Sequence, residues 1–132
     1  MKHWSFKSFI TDSGRNVFKV WIDAQPKNAR AIIHTTLDHI EIRQTLGMPF
    51  TKKLEGYKNI WELRAKADNK QYRPLFCLGP NKEIIFLIGA TKTGDQKKTK
   101  FDPIHAPTTA EARCKLISEN RRYICEYKRT EK

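Results

Sequence analysis

Little in this chain suits export or a membrane. Cysteine is scarce: Cys77, Cys114 and Cys125 are 3 in number and far apart, which argues against a disulfide framework. Cys77 falls in a strand-like run and Cys114 in a helical one, where a small buried thiol is the ordinary reading. Histidine is scarce too, at 4 residues, and no Cys/His spacing matches a zinc site. No apolar run approaches the length that spans a bilayer. The opening Met1-Lys2-His3-Trp4 alternates polar and aromatic residues and has no signal-peptide core. A reducing, cytoplasmic setting is expected, with no membrane partner. Acidic residues are few as well, 14 against 26 Lys plus Arg, for a formal net charge of +12. A folded chain this basic usually meets a polyanion, with nucleic acid foremost, then acidic proteins and anionic membrane. A merely soluble basic surface is the competing reading.

What is present suits one modest core. The 132 residues are 39% hydrophobic, with 3 Trp, 7 Phe and 4 Tyr, and predict a single domain over residues 1–132. Trp4, Phe6 and Ile10 share one face of a first strand. Thr11-Asp12-Ser13-Gly14 reads as a turn. Val17, Val20, Trp21 and Ala24 recur at helical spacing, and Pro26 suits the first turn of a second helix. There Ala29, Ile33, Leu37 and Ile40 form one apolar stripe, and Gly47 and Pro49 close the helical region.

A β-rich part follows. Trp61, Leu63 and Ala65 alternate with Glu62, Arg64 and Lys66, which predicts a strand with one buried and one charged face. Asp68-Asn69 turns into a strand over residues 71–78, and Gly79-Pro80-Asn81 into another over 83–90. The run Ile84-Ile85-Phe86-Leu87-Ile88 predicts a central strand covered on both faces. Short turns make the three an antiparallel meander. Pro74 cannot donate to a ladder, so it marks an edge or a bulge. Thr108 and Glu111 have capping-box spacing at the start of a last helix. The tail, residues 124–132, is expected to fray. The predicted class is α+β, of order β-α-α-β-β-β-α: a small antiparallel-rich sheet, a two-helix hairpin on one side and a C-terminal helix.

Gly56-Tyr57-Lys58-Asn59-Ile60-Trp61-Glu62-Leu63-Arg64, then Tyr72-Arg73, an apolar strand, a Lys-rich loop and a Glu-bearing helix stand in that order. This series resembles the HigB-like, phage-derived branch of the RelE/ParE toxin superfamily. The similarity runs from Ser13-Gly14-Arg15 through Arg122. The resemblance implies a toxin of a type II toxin–antitoxin system: a small basic endoribonuclease, or mRNA interferase, that works without a metal or other cofactor. It also implies that messenger RNA is cut on the ribosome to inhibit translation, that RNA lies on an open sheet face, and that an antitoxin, of helix-turn-helix type, holds the toxin inactive.

The residue types fit that chemistry. Metal-free cleavage uses the RNA 2′-hydroxyl as an internal nucleophile. It needs a base, an acid, and cations on the phosphoryl oxygens, the last often being the largest contribution. Arg73, after Tyr72, matches the family arginine and is the candidate phosphate clamp; an ion pair with Glu62 is its competing role. Lys92 follows the central strand directly, where the family carries a cation. Lys97 matches the later basic pair, in Thr91-Lys92-Thr93-Gly94-Asp95-Gln96-Lys97-Lys98-Thr99, a looser form than the family's common motif. A lysine crowded by cations loses its proton more easily and serves as a base. His105, ahead of the last helix, offers an imidazole for proton transfer. Arg64, Lys98 and Lys100 are candidates for binding RNA. Two other functions stay open: a basic module that holds RNA or DNA without cutting it, and a ParE-like toxin acting on DNA gyrase. RNA ends separate the first, and DNA damage marks the second.

Overall fold

The computed structural model describes residues 3–93 and 100–129. The first elements are β1 (Ser5–Phe9), α1 (Val17–Asp23) and α2 (Lys27–Arg43). Among the described residues, nine short strands and one helix follow: β2 (Thr51–Lys53), β3 (Trp61–Leu63), β4 (Ala65–Ala67), β5 (Lys70–Tyr72), β6 (Leu75–Gly79), β7 (Glu83–Ile88), β8 (Thr91–Thr93), β9 (Lys100–Asp102), α3 (Ala106–Glu119) and β10 (Ile124–Glu126). The class is α+β, as the periodicities imply.

Local chemistry explains the helices. Asn16 starts α1, its side-chain oxygen accepting the Lys19 N–H at 3.1 Å, a conventional cap. The buried face of α1 is Val17, Phe18 and Ile22. Val20 and Ala24, expected on that face, are exposed. Phe18 sets the rotation, because its ring stacks on Phe86 of β7 at 3.9 Å between centroids. In α2 the stripe Ala29, Ile33, Leu37 and Ile40 is buried. Helix α3 begins at Ala106, two residues before the expected Thr108 cap. Pro107 sits in its first turn and no side chain caps it; the fixed φ of proline favours a helix start there.

The predicted meander forms, but it is bent. Strands β3, β6 and β7 pair antiparallel inside a six-stranded sheet of order β10-β1-β7-β6-β3-β2, with β1 parallel to β7. Each meander strand then breaks: at Arg64, at Arg73-Pro74 and at Gly89-Ala90. Each resumes in a second sheet of order β4-β5-β8-β9. Backbone bonds bridge the bend, Leu63 N–H to Pro74 O at 2.9 Å and Arg73 N–H to Ala90 O at 2.8 Å. Pro74 thus marks the passage from one sheet to the other, beside a register shift between Leu75 and Phe76. Gly89 is required at the bend for a different reason. A Cβ built there lies 1.9 Å from Trp21 Cγ, so only a bare Cα lets the indole pack down on the strand.

The core lies on both faces of the large sheet. Ile84 and Phe86 face the α1–α2 side with Phe18, Ile33 and Leu37. Ile85 and Leu87 face the other side with Ala106, Ala110 and Ile117 of α3. On the side opposite the helical hairpin, α3 packs against β6 and β7, so the middle of the large sheet is closed there. Residues 124–126, expected to fray, pair antiparallel with β1, and Tyr127 is buried against Phe18. Its apolar ring outweighs the polar character of the surrounding tail.

Candidate nucleic-acid interface

Alternation along the second sheet sorts its side chains. Ala65 and Tyr72 turn toward the helical hairpin and join its core. The opposite face carries a row in register across four strands: Lys66, Gln71, Lys92 and Phe101. Lys92 Nζ stands 4.7 Å from the Phe101 ring centroid, close enough for cation–π attraction.

At the bend, this face gathers charge around one carboxylate. Glu62 was expected to be solvated, yet its side chain is 1% exposed. It sits at the inner corner of the bend, where Arg64 and Lys92 close over it. Arg64 Nη1 donates to Glu62 Oε2 at 2.5 Å, and Lys92 Nζ donates to Oε1 at 3.1 Å. Both cations keep part of their surface, with side chains 26% and 20% exposed. An isolated buried carboxylate would cost several kcal/mol, roughly; two cations make this one tolerable.

Arg73 is the third cation, and it lies deeper, at 5% exposure. Its Nη1 donates to Ala65 O at 2.8 Å and to Tyr72 O at 2.9 Å. Its Nη2 donates to Gln71 Oε1 at 3.0 Å. It thereby ties β4 to β5. The Glu62 ion pair considered for Arg73 falls instead to Arg64 and Lys92. Burial lowers the Arg73 pKa, Arg64 lowers it further, and Glu62 opposes both. Its Nε–H makes no hydrogen bond with any described residue. A guanidinium still holds its proton under such a shift.

Three of the candidate residues, Arg64, Arg73 and Lys92, are thus brought together. Lys100 is exposed on β9, paired in register with Thr93 of β8. His105 is exposed at the start of α3; no hydrogen bond among the described residues joins it to Glu62 or Arg73. Lys97 and Lys98 lie outside the described residues. Sequence reasoning missed Glu62 as the organiser, although its i+2 spacing to Arg64 was a usable signal. It also missed Gln71 and Phe101, whose place on this face depends on strand register. Among the described residues, no group of three or more His, Cys, Asp or Glu is placed to hold a metal ion. No helix among them is long and apolar enough to cross a membrane.

Fold and site together define a small basic α+β protein whose cations converge at the bend of a sheet. The family model described as Phage derived protein Gp49-like (DUF891) matches residues 20–115. The chain belongs to this family, which is part of the RelE/HigB-like toxin superfamily. The family is associated with RelE-type toxins of toxin–antitoxin systems, an association that implies an antitoxin partner. The comparison with curated proteins finds no match.

Proposed function

We propose that this chain is a HigB-like toxin of a type II toxin–antitoxin pair: an endoribonuclease that cleaves messenger RNA on the ribosome and so stops translation. The observation that carries this reading is that Arg64 and Lys92 meet over Glu62 at the bend, each partly exposed, with Arg73 buried close by. Lys100 stands on the neighbouring strand, and Lys97 and Lys98 belong to the segment that joins β8 to β9.

The chemistry follows from RNA itself. The 2′-hydroxyl oxygen attacks the adjacent phosphorus, and the 5′-oxygen of the next nucleotide leaves. A cyclic phosphate and a 5′-hydroxyl result. Negative charge grows on the phosphoryl oxygens, and fixed cations there lower the barrier most. Arg64 and Lys92 are partly exposed, so each can offer its remaining N–H groups to a phosphate while keeping its bond to Glu62. Arg64 offers the planar fork that grips two phosphate oxygens. Arg73, first expected to be the clamp itself, is assigned to hold β4 and β5 in place and to add positive field behind the other two. Proton transfer, worth about 10²–10⁴-fold, is assigned to Lys97 and His105. Lys98 and Lys100 follow the RNA backbone. The antitoxin, of helix-turn-helix type, covers the basic face with an acidic or apolar segment.

Expression of the chain alone tests this reading. Translation should stop, and Arg64→Ala with Lys92→Ala should relieve the arrest at equal protein level. Equal arrest by the double variant would refute the site. One observation favours a second reading, a module that binds RNA without cutting it: the Arg73 guanidinium is committed to protein acceptors. In that case the chain would protect RNA and leave no new ends.

A further inference from the structure

The side of the sheet covered by α3 holds two thiols that the nuclease reading does not use. Cys77 lies in β6 at 2% exposure. Cys114 lies on α3 and is half-buried. Both belong to the apolar cluster between α3 and the sheet. Both also line one cavity of about 240 Å³, together with Asn59, Ile85, Ile117 and Arg121. A molecule of peroxide size fits there easily, since water takes up about 30 Å³ in the liquid.

The two thiols differ in character because they interact. Hydrogen bonding from the Cys77 thiol holds the Cys114 thiol down to about 7, against the effect of burial. The same contact, with burial added, pushes the Cys77 thiol far up. Cys114, the more exposed of the two, is therefore the thiol that ionises first, and the thiolate is the nucleophile. Cys77 stays protonated beside it. The third thiol, Cys125 on β10, donates to Ser8 O at 3.5 Å, and burial pushes its pKa up.

We propose that Cys77 and Cys114 form an oxidative modification site whose co-reactant is a hydroperoxide and whose product is a disulfide joining β6 to α3. The Cys114 sulfur attacks a peroxide oxygen. The O–O bond breaks, an S–O bond forms, and the other oxygen leaves as an alcohol or water after taking a proton. Cys114 is then a sulfenic acid. The Cys77 sulfur attacks the Cys114 sulfur. An S–S bond forms, the S–O bond breaks, and the hydroxyl leaves as water with the Cys77 proton. The two thiols together give up two protons and two electrons, which the peroxide accepts. The bond closes a loop containing β7, β8 and β9, so it pins α3 against the strands that lead to the basic face.

The test uses the reduced full-length chain treated with hydrogen peroxide, then digested without reductant for mass spectrometry. One cross-linked peptide pair carrying Cys77 and Cys114 is expected, lighter by two hydrogens, with Cys125 still free. Cys77→Ala should leave a Cys114 sulfenic acid that a cyclic 1,3-dione traps. Cys114→Ser should abolish both products. On the native chain, which needs no variant, the rate of Cys114 alkylation should reach half its maximum near pH 7, and Cys114 should react faster than Cys125 at neutral pH. The proposal is overturned if the cross-link involves Cys125, if Cys114 runs on to the sulfinic acid while Cys77 stays free, or if Cys125 reacts faster.

Discussion

Replacing Glu62 by Gln should destabilise the chain strongly, although shape and volume barely change. The carboxylate is 1% exposed and faces Arg64 and Lys92. A Gln oxygen can still accept one hydrogen bond. It cannot balance two cations, with Arg73 close by as a third. Removing one partner of a buried ion pair costs about 3–5 kcal/mol. Arg64 and Lys92 retain about a quarter and a fifth of their exposure and recover some hydration, so the lower end, about 3 kcal/mol, applies. A chain of this size loses roughly 3–5 °C of Tm per kcal/mol, so a fall of about 10 °C is expected. Thermal unfolding followed by circular dichroism reads it directly. Adding Lys92→Met to the Glu62→Gln chain should recover part of the loss, because an unbalanced cation goes with it. A fall under about 3 °C, or a double variant worse than the sum of its parts, would refute the account of the cluster.

Two further outcomes follow from the packing. Gly89→Ala puts a methyl 1.9 Å from Trp21 Cγ; a cost of at least about 1–3 kcal/mol is expected, with Trp fluorescence shifted to the red, and a neutral substitution would contradict the bend as described. Tyr127 is 7% exposed, and burial raises its phenol from 10.0 to about 12. The folded state holds that proton more tightly, so the contribution is complete below pH 10 and is lost as pH rises toward 12. Up to about 2.7 kcal/mol is involved. In urea melts across that window, Tyr127→Phe should lose less stability than the parent chain. Equal alkaline slopes would contradict the burial argument.

The legible parts of the fold were those with long repeats of pattern. The stripe Ala29, Ile33, Leu37 and Ile40 forced α2, and the unbroken run from Ile84 to Ile88 forced a doubly covered strand. Three-residue strands such as β2, β9 and β10 are too short to show a period. The bend was visible only at Pro74, because proline acts through its own backbone. At Gly89 the requirement comes from a Trp21 ring far away in sequence, and no local pattern reveals it. Glu62 was misread for a related reason: alternation places it on the polar face, but only the fold brings Lys92 across to close it from water. Arg73 was singled out by its motif, yet its burial follows from the break that Pro74 imposes next to it. Cys77 and Cys114 read separately as inert thiols, since only the packing of α3 on β6 makes them neighbours.

The most direct measurement uses purified chain, translating ribosomes and a defined messenger RNA, with all RNA ends sequenced. The account predicts new 5′-hydroxyl ends paired with cyclic phosphates inside the message, and their loss when Arg64 and Lys92 are both replaced by Ala. Stalled translation with intact RNA, or undiminished cleavage by the double variant, would contradict it.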